Sequence, residues 1–155
     1  MTSPAVERFL ASVAPLGLVP EVREFDESTH TAAEAAAAIG CEVAAIVKSL
    51  LFDAGGEPLL VLASGPNRVN TAALSARLGV EIGKADAGAV KQATGYSIGA
   101  VPPLGHRAAL RTIFDETLLE LPVVWAAAGS ATAVFAIAPA ELVRLTDAEV
   151  SSVLG

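Results

Sequence analysis

VAAIVKSLLFDAGGEPLLVLAS, residues 43–64, places two apolar runs on either side of a Gly-rich break. VAAIVKSLLF is β-branched at its centre and reads as a strand, DAGGEP as a turn and PLLVLAS as the antiparallel neighbour. A short Gly-rich connection suits a hairpin better than a crossover. One cation, Lys48, interrupts the first run. On a strand of period two, Ile46, Lys48 and Leu50 share one face and Val47, Ser49 and Leu51 the other, so both faces read as buried. Two roles are open to the ammonium. It can snorkel its stem over apolar surface at a strand edge, or sit partly desolvated at a cleft lip and present donors to an anionic or carbonyl-bearing ligand.

Working outward, Ser3-Pro4 offers an N-cap followed by proline at the first helical position, and Val6, Phe9, Leu10 and Val13 recur at helical spacing until Pro15. EVREF (21–25) alternates as a weak strand. Thr31 with Glu34 forms a capping box before AAEAAAAI, which Gly40 ends, and His30 just before the cap reads as solvated. Asn70 caps TAALSARL and Asp86 caps AGAVKQAT, with Gly79 and Gly95 as their stops. GYSIGAVPPLGH reads as a strand start bent into a rigid loop. LRTIF, PVVWAAA and ATAVFAIA are further strands, the last two joined at Gly129-Ser130. PAELVRL is a helix, and Thr146 with Glu149 suggests a second capping box. About seven strands, mostly in hairpins, and five or six helices without regular βαβ alternation predict an α+β fold with a mixed, largely antiparallel sheet.

The chain has 155 residues, enough for one domain over 1–155 with a real core, and no repeat or long linker divides it. Mean hydropathy is high at +0.56, yet no apolar run reaches the length of a membrane span. The N-terminal stretch, with acidic Glu7, is unlike a signal peptide, so a soluble cytoplasmic protein is expected. A lone Cys41 and two histidines give no zinc spacing and no disulfide. A net charge of −7 argues against nonspecific nucleic-acid binding and against DNA as a partner, so any polyanion must meet a local basic patch.

The second chemical feature is GAVPPLGH (99–106). Prolines stiffen it and glycines let backbone approach a ligand, although a plain tight turn explains it as well. No phosphate-cradle motif and no Ser nucleophile elbow is present, so no cofactor and no conventional hydrolase triad is expected. His106 and Asp115 could form an acid–base pair, or Asp115 could cap the short ETLLEL segment.

In this order, IVKSLLF, ASGPNRVNTAALSARLG, ATGYSIGAVPPLGH, TIFDETLLEL and WAAAGSATAVFAIAPAELVRLT resemble the YbaK/EbsC family over roughly residues 25–150. These are aminoacyl-tRNA deacylase domains related to the editing domain of bacterial prolyl-tRNA synthetase. The resemblance implies a barrel-like mixed sheet with flanking helices, and hydrolysis in trans of the ester joining a wrong amino acid to the 3′-terminal adenosine of a tRNA. It implies catalytic roles for Lys48, Gly99 and Asp115. Substrate contacts would come from Ser49, from Ala100, Val101, Pro102, Pro103, Gly105 and His106 of the loop, and from Ala128 and Gly129. Lys48 would act through binding and electrostatics, with a ribose hydroxyl, a substrate thiol or a water as nucleophile. The sequence departs from many relatives at Ala100, where they have a second glycine, and at Pro102, where they have serine. Loop shape and amino-acid choice are therefore expected to differ.

Six of the ten bases, Arg68, Arg77, Lys84, Lys91, Arg107 and Arg111, fall between residues 68 and 111. Arg68, Lys84, Lys91, Arg107 and Arg111 are the candidates for RNA contact, with solvated helix faces as the plainer account of Arg77, Lys84 and Lys91. A prolyl-tRNA synthetase partner could supply further tRNA affinity. The expected activity is deacylation of mischarged aminoacyl-tRNA, with tRNA-Pro carrying Cys, Ala or another small residue as the leading substrate. The alternative is a non-catalytic module that binds the tRNA end, an adenosine-like ligand or a protein. A small-ester hydrolase ranks last, for want of a nucleophile.

Overall fold

The structure is a computed structural model that describes residues 3–26 and 31–154, so the reading of His30 lies outside the described residues. The chain runs α1 (Pro4–Val13), β1 (Val22–Glu24), α2 (Ala32–Ile39), β2 (Val47–Ala54), β3 (Glu57–Ser64), α3 (Thr71–Leu78), β4 (Ile82–Lys84), α4 (Ala87–Thr94), β5 (Arg111–Asp115), β6 (Val124–Ala127), β7 (Ala133–Ile137), α5 (Pro139–Thr146) and β8 (Glu149–Ser151). The helix caps follow the sequence. Ser3 Oγ accepts from Val6 N–H at 3.3 Å and Asn70 Oδ1 from Ala73 N–H at 3.0 Å. Asp86 Oδ1 accepts from Ala89 N–H at 2.8 Å, and Thr31 with Glu34 closes the capping box.

β2 and β3 form the expected antiparallel hairpin, in register from Val47↔Ser64 to Ala54↔Glu57. β3 is the central strand of a five-stranded sheet of order β4-β2-β3-β5-β8, and it runs parallel to β5. Its run from Leu59 to Ala63 is wholly buried because both faces are covered. Leu60 and Leu62 enter the main core with α1, β6 and β7, while Leu59, Val61 and Ala63 pack toward α3. A second sheet, β1-β7-β6, is antiparallel throughout.

Three sequence expectations are corrected. The sheet is mixed but does not close into a barrel, because β2 meets β6 through a single bridge, Ile46↔Trp125, and meets β4 only over Phe52–Ala54. Closure requires continuous pairing around the ring. The strands also differ from the seven expected. GYSI forms none: Gly95 takes φ +84°, and Thr94 Oγ1 accepts from Tyr96 N–H at 3.0 Å, which turns the chain tightly. The three-residue strands β4 and β8 appear instead, too short to carry a periodic signal. Finally, Thr146 and Glu149 make no capping box. Thr146 ends α5 with its hydroxyl donating back to Leu142 O at 2.8 Å, and Glu149 opens β8.

One glycine locks the hairpin to α2. A Cβ on Gly65 would lie 2.2 Å from Val43 O and 3.1 Å from Ala32 Cβ, so the backbone itself blocks any side chain. Gly65→Ala is expected to cost about 1–3 kcal/mol in chemical denaturation. Gly83→Ala, where the added Cβ meets nothing within 4 Å, should stay within about 0.5 kcal/mol.

Candidate functional site

β3 pairs with the whole of β2 on one edge, but the other edge of β2 is unpaired between Ile46 and Phe52 among the described residues. Alternate residues of a strand present their N–H and C=O to opposite edges. Some main-chain donors and acceptors of Val47–Leu51 therefore face this gap. The gap is a cleft of 580 Å³, within the range of small-ligand sites. Its walls are the β2 edge, Ala32 and Ala35 of α2, Lys84 and Val90, the loop residues Ile98, Gly99 and Val101, and Trp125–Ala127 of β6.

Among the described residues, Lys48 and Lys84 are the only titratable side chains that line the cleft, and no described carboxylate, imidazole or thiol joins them. Lys48 is half-buried and donates from Nζ to Asn67 O at 2.5 Å. An ammonium has three donors, so two are left over for a ligand. Burial pushes its pKa below the usual 10.5, opposed by the charge of Asp115 and assisted by that of Arg68. Ser49 lines the same cleft, and its buried hydroxyl has no hydrogen-bond partner, alone among such side-chain atoms of the described residues.

Asp115 stands behind this wall. It is 1% exposed; Oδ2 accepts from Ser64 N–H and from Asn67 Nδ2, both at 2.9 Å, and Oδ1 accepts from Thr117 N–H at 3.0 Å. The last of these is the cap expected for ETLLEL, which forms a 3-10 turn. Through Asn67 the carboxylate fixes the carbonyl that holds Lys48. Asn67 lay unremarked within ASGPNRVN, since only the fold shows its backbone and side chain working in opposite directions.

The loop residues divide. Gly99, at φ +87°, and Val101 reach the cleft. Pro102, Pro103 and Leu104 are buried, and Gly105 is held against α1, where a Cβ would lie 2.9 Å from Val13 Cγ1. His106 donates from Nε2 to Pro102 O at 2.6 Å, and burial lowers its pKa, so it staples the loop as a neutral ring. It makes no hydrogen bond to Asp115, whose oxygens are taken by Ser64, Asn67 and Thr117. Ala100 and Gly129 line a separate hollow beside the cleft, while Ala128 is wholly buried. Among the candidate RNA contacts, Lys84 lines the cleft, Lys91 lines the hollow beside it, and Arg111 pairs with Glu149 at 3.1 Å. Arg68 and Arg107 are exposed.

The sequence model of the family described as the aminoacyl-tRNA editing domain matches residues 26–145, and the chain belongs to that family, as the YbaK-like motifs imply. A solved structure provisionally described as a trans-editing enzyme for prolyl-tRNA synthetase is 39% identical. It superposes with a TM-score of 0.95 over 100% of this chain and 99% of that one. The uncharacterized protein YwhH of Bacillus subtilis (strain 168) is 29% identical over 123 residues, 79% of this chain and 78% of its own length. A proline–tRNA ligase of Nitratidesulfovibrio vulgaris (strain DP4) is 34% identical over 97 residues, 62% of this chain but 17% of the ligase.

Asp115→Asn turns an amide N–H toward donors that now find a carboxylate, and should lower stability by about 1–3 kcal/mol in denaturant. It also removes the charge that supports the Lys48 ammonium. The titration of Lys48 Nζ, followed by ¹⁵N NMR, should then move still lower. An unchanged or raised value contradicts the linkage. In the wild type the unfolded chain binds that proton more tightly, so this group makes stability rise with pH between its folded pKa and 10.5.

Proposed function

We propose that this member of the editing-domain family is a trans-acting aminoacyl-tRNA deacylase, one domain that hydrolyses the ester between a small amino acid and the 3′-terminal adenosine. The observation that carries the reading is the cleft itself, which gathers Lys48, the unpartnered Ser49 hydroxyl, Gly99 and an unpaired strand edge in one cavity. Its cationic lining suits a ligand with phosphate and carbonyl oxygens. Its walls carry Ala32, Ala35, Ala85, Ala126 and Ala127, side chains that favour a compact acyl group.

In ester hydrolysis a nucleophile adds to the acyl carbon, the carbonyl oxygen takes up negative charge, and collapse releases the ribose oxygen, which receives the proton that the nucleophile gives up. Donors aimed at that oxygen lower the barrier. Main-chain N–H groups along Val47–Leu51, the free N–H bonds of Lys48 and the Ser49 hydroxyl are such donors. Among the described residues, no side chain lining the cleft is a carboxylate or imidazole base. The nucleophile in this reading is a water, a ribose hydroxyl or a substrate thiol, activated by the substrate's own groups and by the positive field of Lys48; where a substrate group attacks first, a water then completes the hydrolysis. Asp115 is a positioning residue in this scheme. The leading substrate is tRNA-Pro carrying alanine or cysteine, in the cytoplasm, with prolyl-tRNA synthetase as the enzyme whose errors are corrected.

Deacylation of tRNA-Pro charged with alanine, cysteine, serine or 2-aminobutyrate tests the reading. Hydrolysis of at least one is expected, and hydrolysis of none refutes it. Lys48→Ala should lower kcat/KM by about 10²–10³-fold. Ser49→Ala should lower kcat/KM about tenfold or more while leaving stability equal or higher, because it deletes a buried hydroxyl that no group among the described residues satisfies. A loss of stability with full activity would remove Ser49 from the site.

A further inference from the structure

Across Ile98 from the cleft lies a smaller hollow of 270 Å³. Ile98 lines both and is 58% exposed, an apolar step between them. The hollow is flanked by cations from three separate segments that converge on the C-terminal end of α4. Arg8, from α1, donates from Nη2 to Gly95 O at 2.9 Å, and its guanidinium lies 4.9 Å from the centre of the Tyr96 ring. Lys91 sits in the last turn of α4 and lines the hollow. Arg107 approaches from the loop, its Nη2 4.0 Å from where a Cβ on Gly95 would stand. All three are exposed, and none has a carboxylate within ion-pair distance among the described residues, whose salt bridges are Arg111–Glu149 and Arg144–Glu141.

The helix-end carbonyls account for one cation, the one bonded to Gly95 O; they do not call for three. The cleft also opens the other way, sharing Leu51, Phe52, Lys84 and Ala85 with a groove of 490 Å³. That groove is lined by two carboxylates, Asp53 and Asp86, against the single Lys84. A strand with one negative charge per nucleotide is repelled on that path and attracted on the other.

We infer that Arg8, Lys91 and Arg107, with Ile98 between them and the cleft, hold the phosphodiesters of the nucleotides preceding a terminal adenosine, so that a single-stranded 3′ RNA end leaves the cleft across Ile98. The Ile98 side chain offers an apolar face against which an unstacked base packs. This deepens the proposed reading of the cleft as an adenosine site and rests on it. The net charge of −7 makes such a local cluster necessary for any RNA contact.

The test is binding, which needs no turnover: fluorescence anisotropy of a 5′-labelled RNA tetranucleotide, ACCA, against salt concentration. The Lys91→Glu/Arg107→Glu double variant should weaken binding at least about tenfold and flatten the log–log salt slope by about 0.7 per lost phosphate contact. Lys91→Gln/Arg107→Gln should show the same flattening with a smaller loss. Thermal unfolding checks that both remain folded. Arg144→Glu, on α5, should bind as the wild type does. The inference is overturned if the wild type does not bind the tetranucleotide, if the double variants keep the wild-type affinity and slope, or if Arg144→Glu weakens binding equally. A wild type that binds through these residues yet hydrolyses no mischarged tRNA removes the deacylase reading alone. Hydrolysis with RNA binding indifferent to these residues removes this inference alone.

Discussion

The rest of the structure depends on the incomplete pairing of β2. One edge is satisfied along the whole hairpin by β3, while the other is released between the Ile46↔Trp125 bridge and the short pairing with β4. Unpaired main-chain groups are costly when dry and invite another strand when exposed. Here the open edge carries Lys48 and lines a cleft of 580 Å³ between β2 and β6, a volume that suits a small ligand. A closed barrel would have used the same edge for pairing and left no cleft.

The electrostatics follow from where the acids are not. Asp115 is buried behind the wall and fully hydrogen-bonded, and it acts on the cleft through Asn67 and through its field at Lys48. The cation is thus oriented by a neutral carbonyl and, among the described residues, is not quenched by direct pairing with a carboxylate. A lysine in a tight ion pair would offer a ligand less charge and fewer donors. On the Ile98 side of the cleft the adjoining hollow is flanked by Arg8, Lys91 and Arg107, whereas Asp53 and Asp86 line the groove that shares Lys84 with the cleft.

Much of this was legible from the sequence because it rests on local chemistry. The hairpin at 43–64, the capping residues Ser3, Thr31, Asn70 and Asp86, and the stops at Gly40, Gly79 and Gly95 all carry their signal within a few residues. Lys48 stood out because a charge in an apolar strand must be explained. The parts that stayed hidden are non-local. β4 and β8 are too short for a period, the failure of the ring to close depends on strands far apart in sequence, and Asn67 matters only because Ser64, Asp115 and Lys48 meet there. The loop at 99–106 was singled out for its Gly and Pro content, yet that content answers two demands. Gly99 opens toward the cleft, while Gly105 gives way to α1.

The central claim is that the free edge of β2 and the Lys48 ammonium together receive the aminoacyl end of a nucleoside. A crystal structure with 3′-alanylamido-adenosine, whose amide resists hydrolysis, tests it most directly. The account predicts the adenosine in the cleft, its acyl oxygen within hydrogen-bond distance of a main-chain N–H in Val47–Leu51 or of Lys48 Nζ, and the Lys48–Asn67 contact intact. A ligand seated outside this cleft, or inside it with no contact to β2 or Lys48, would contradict it.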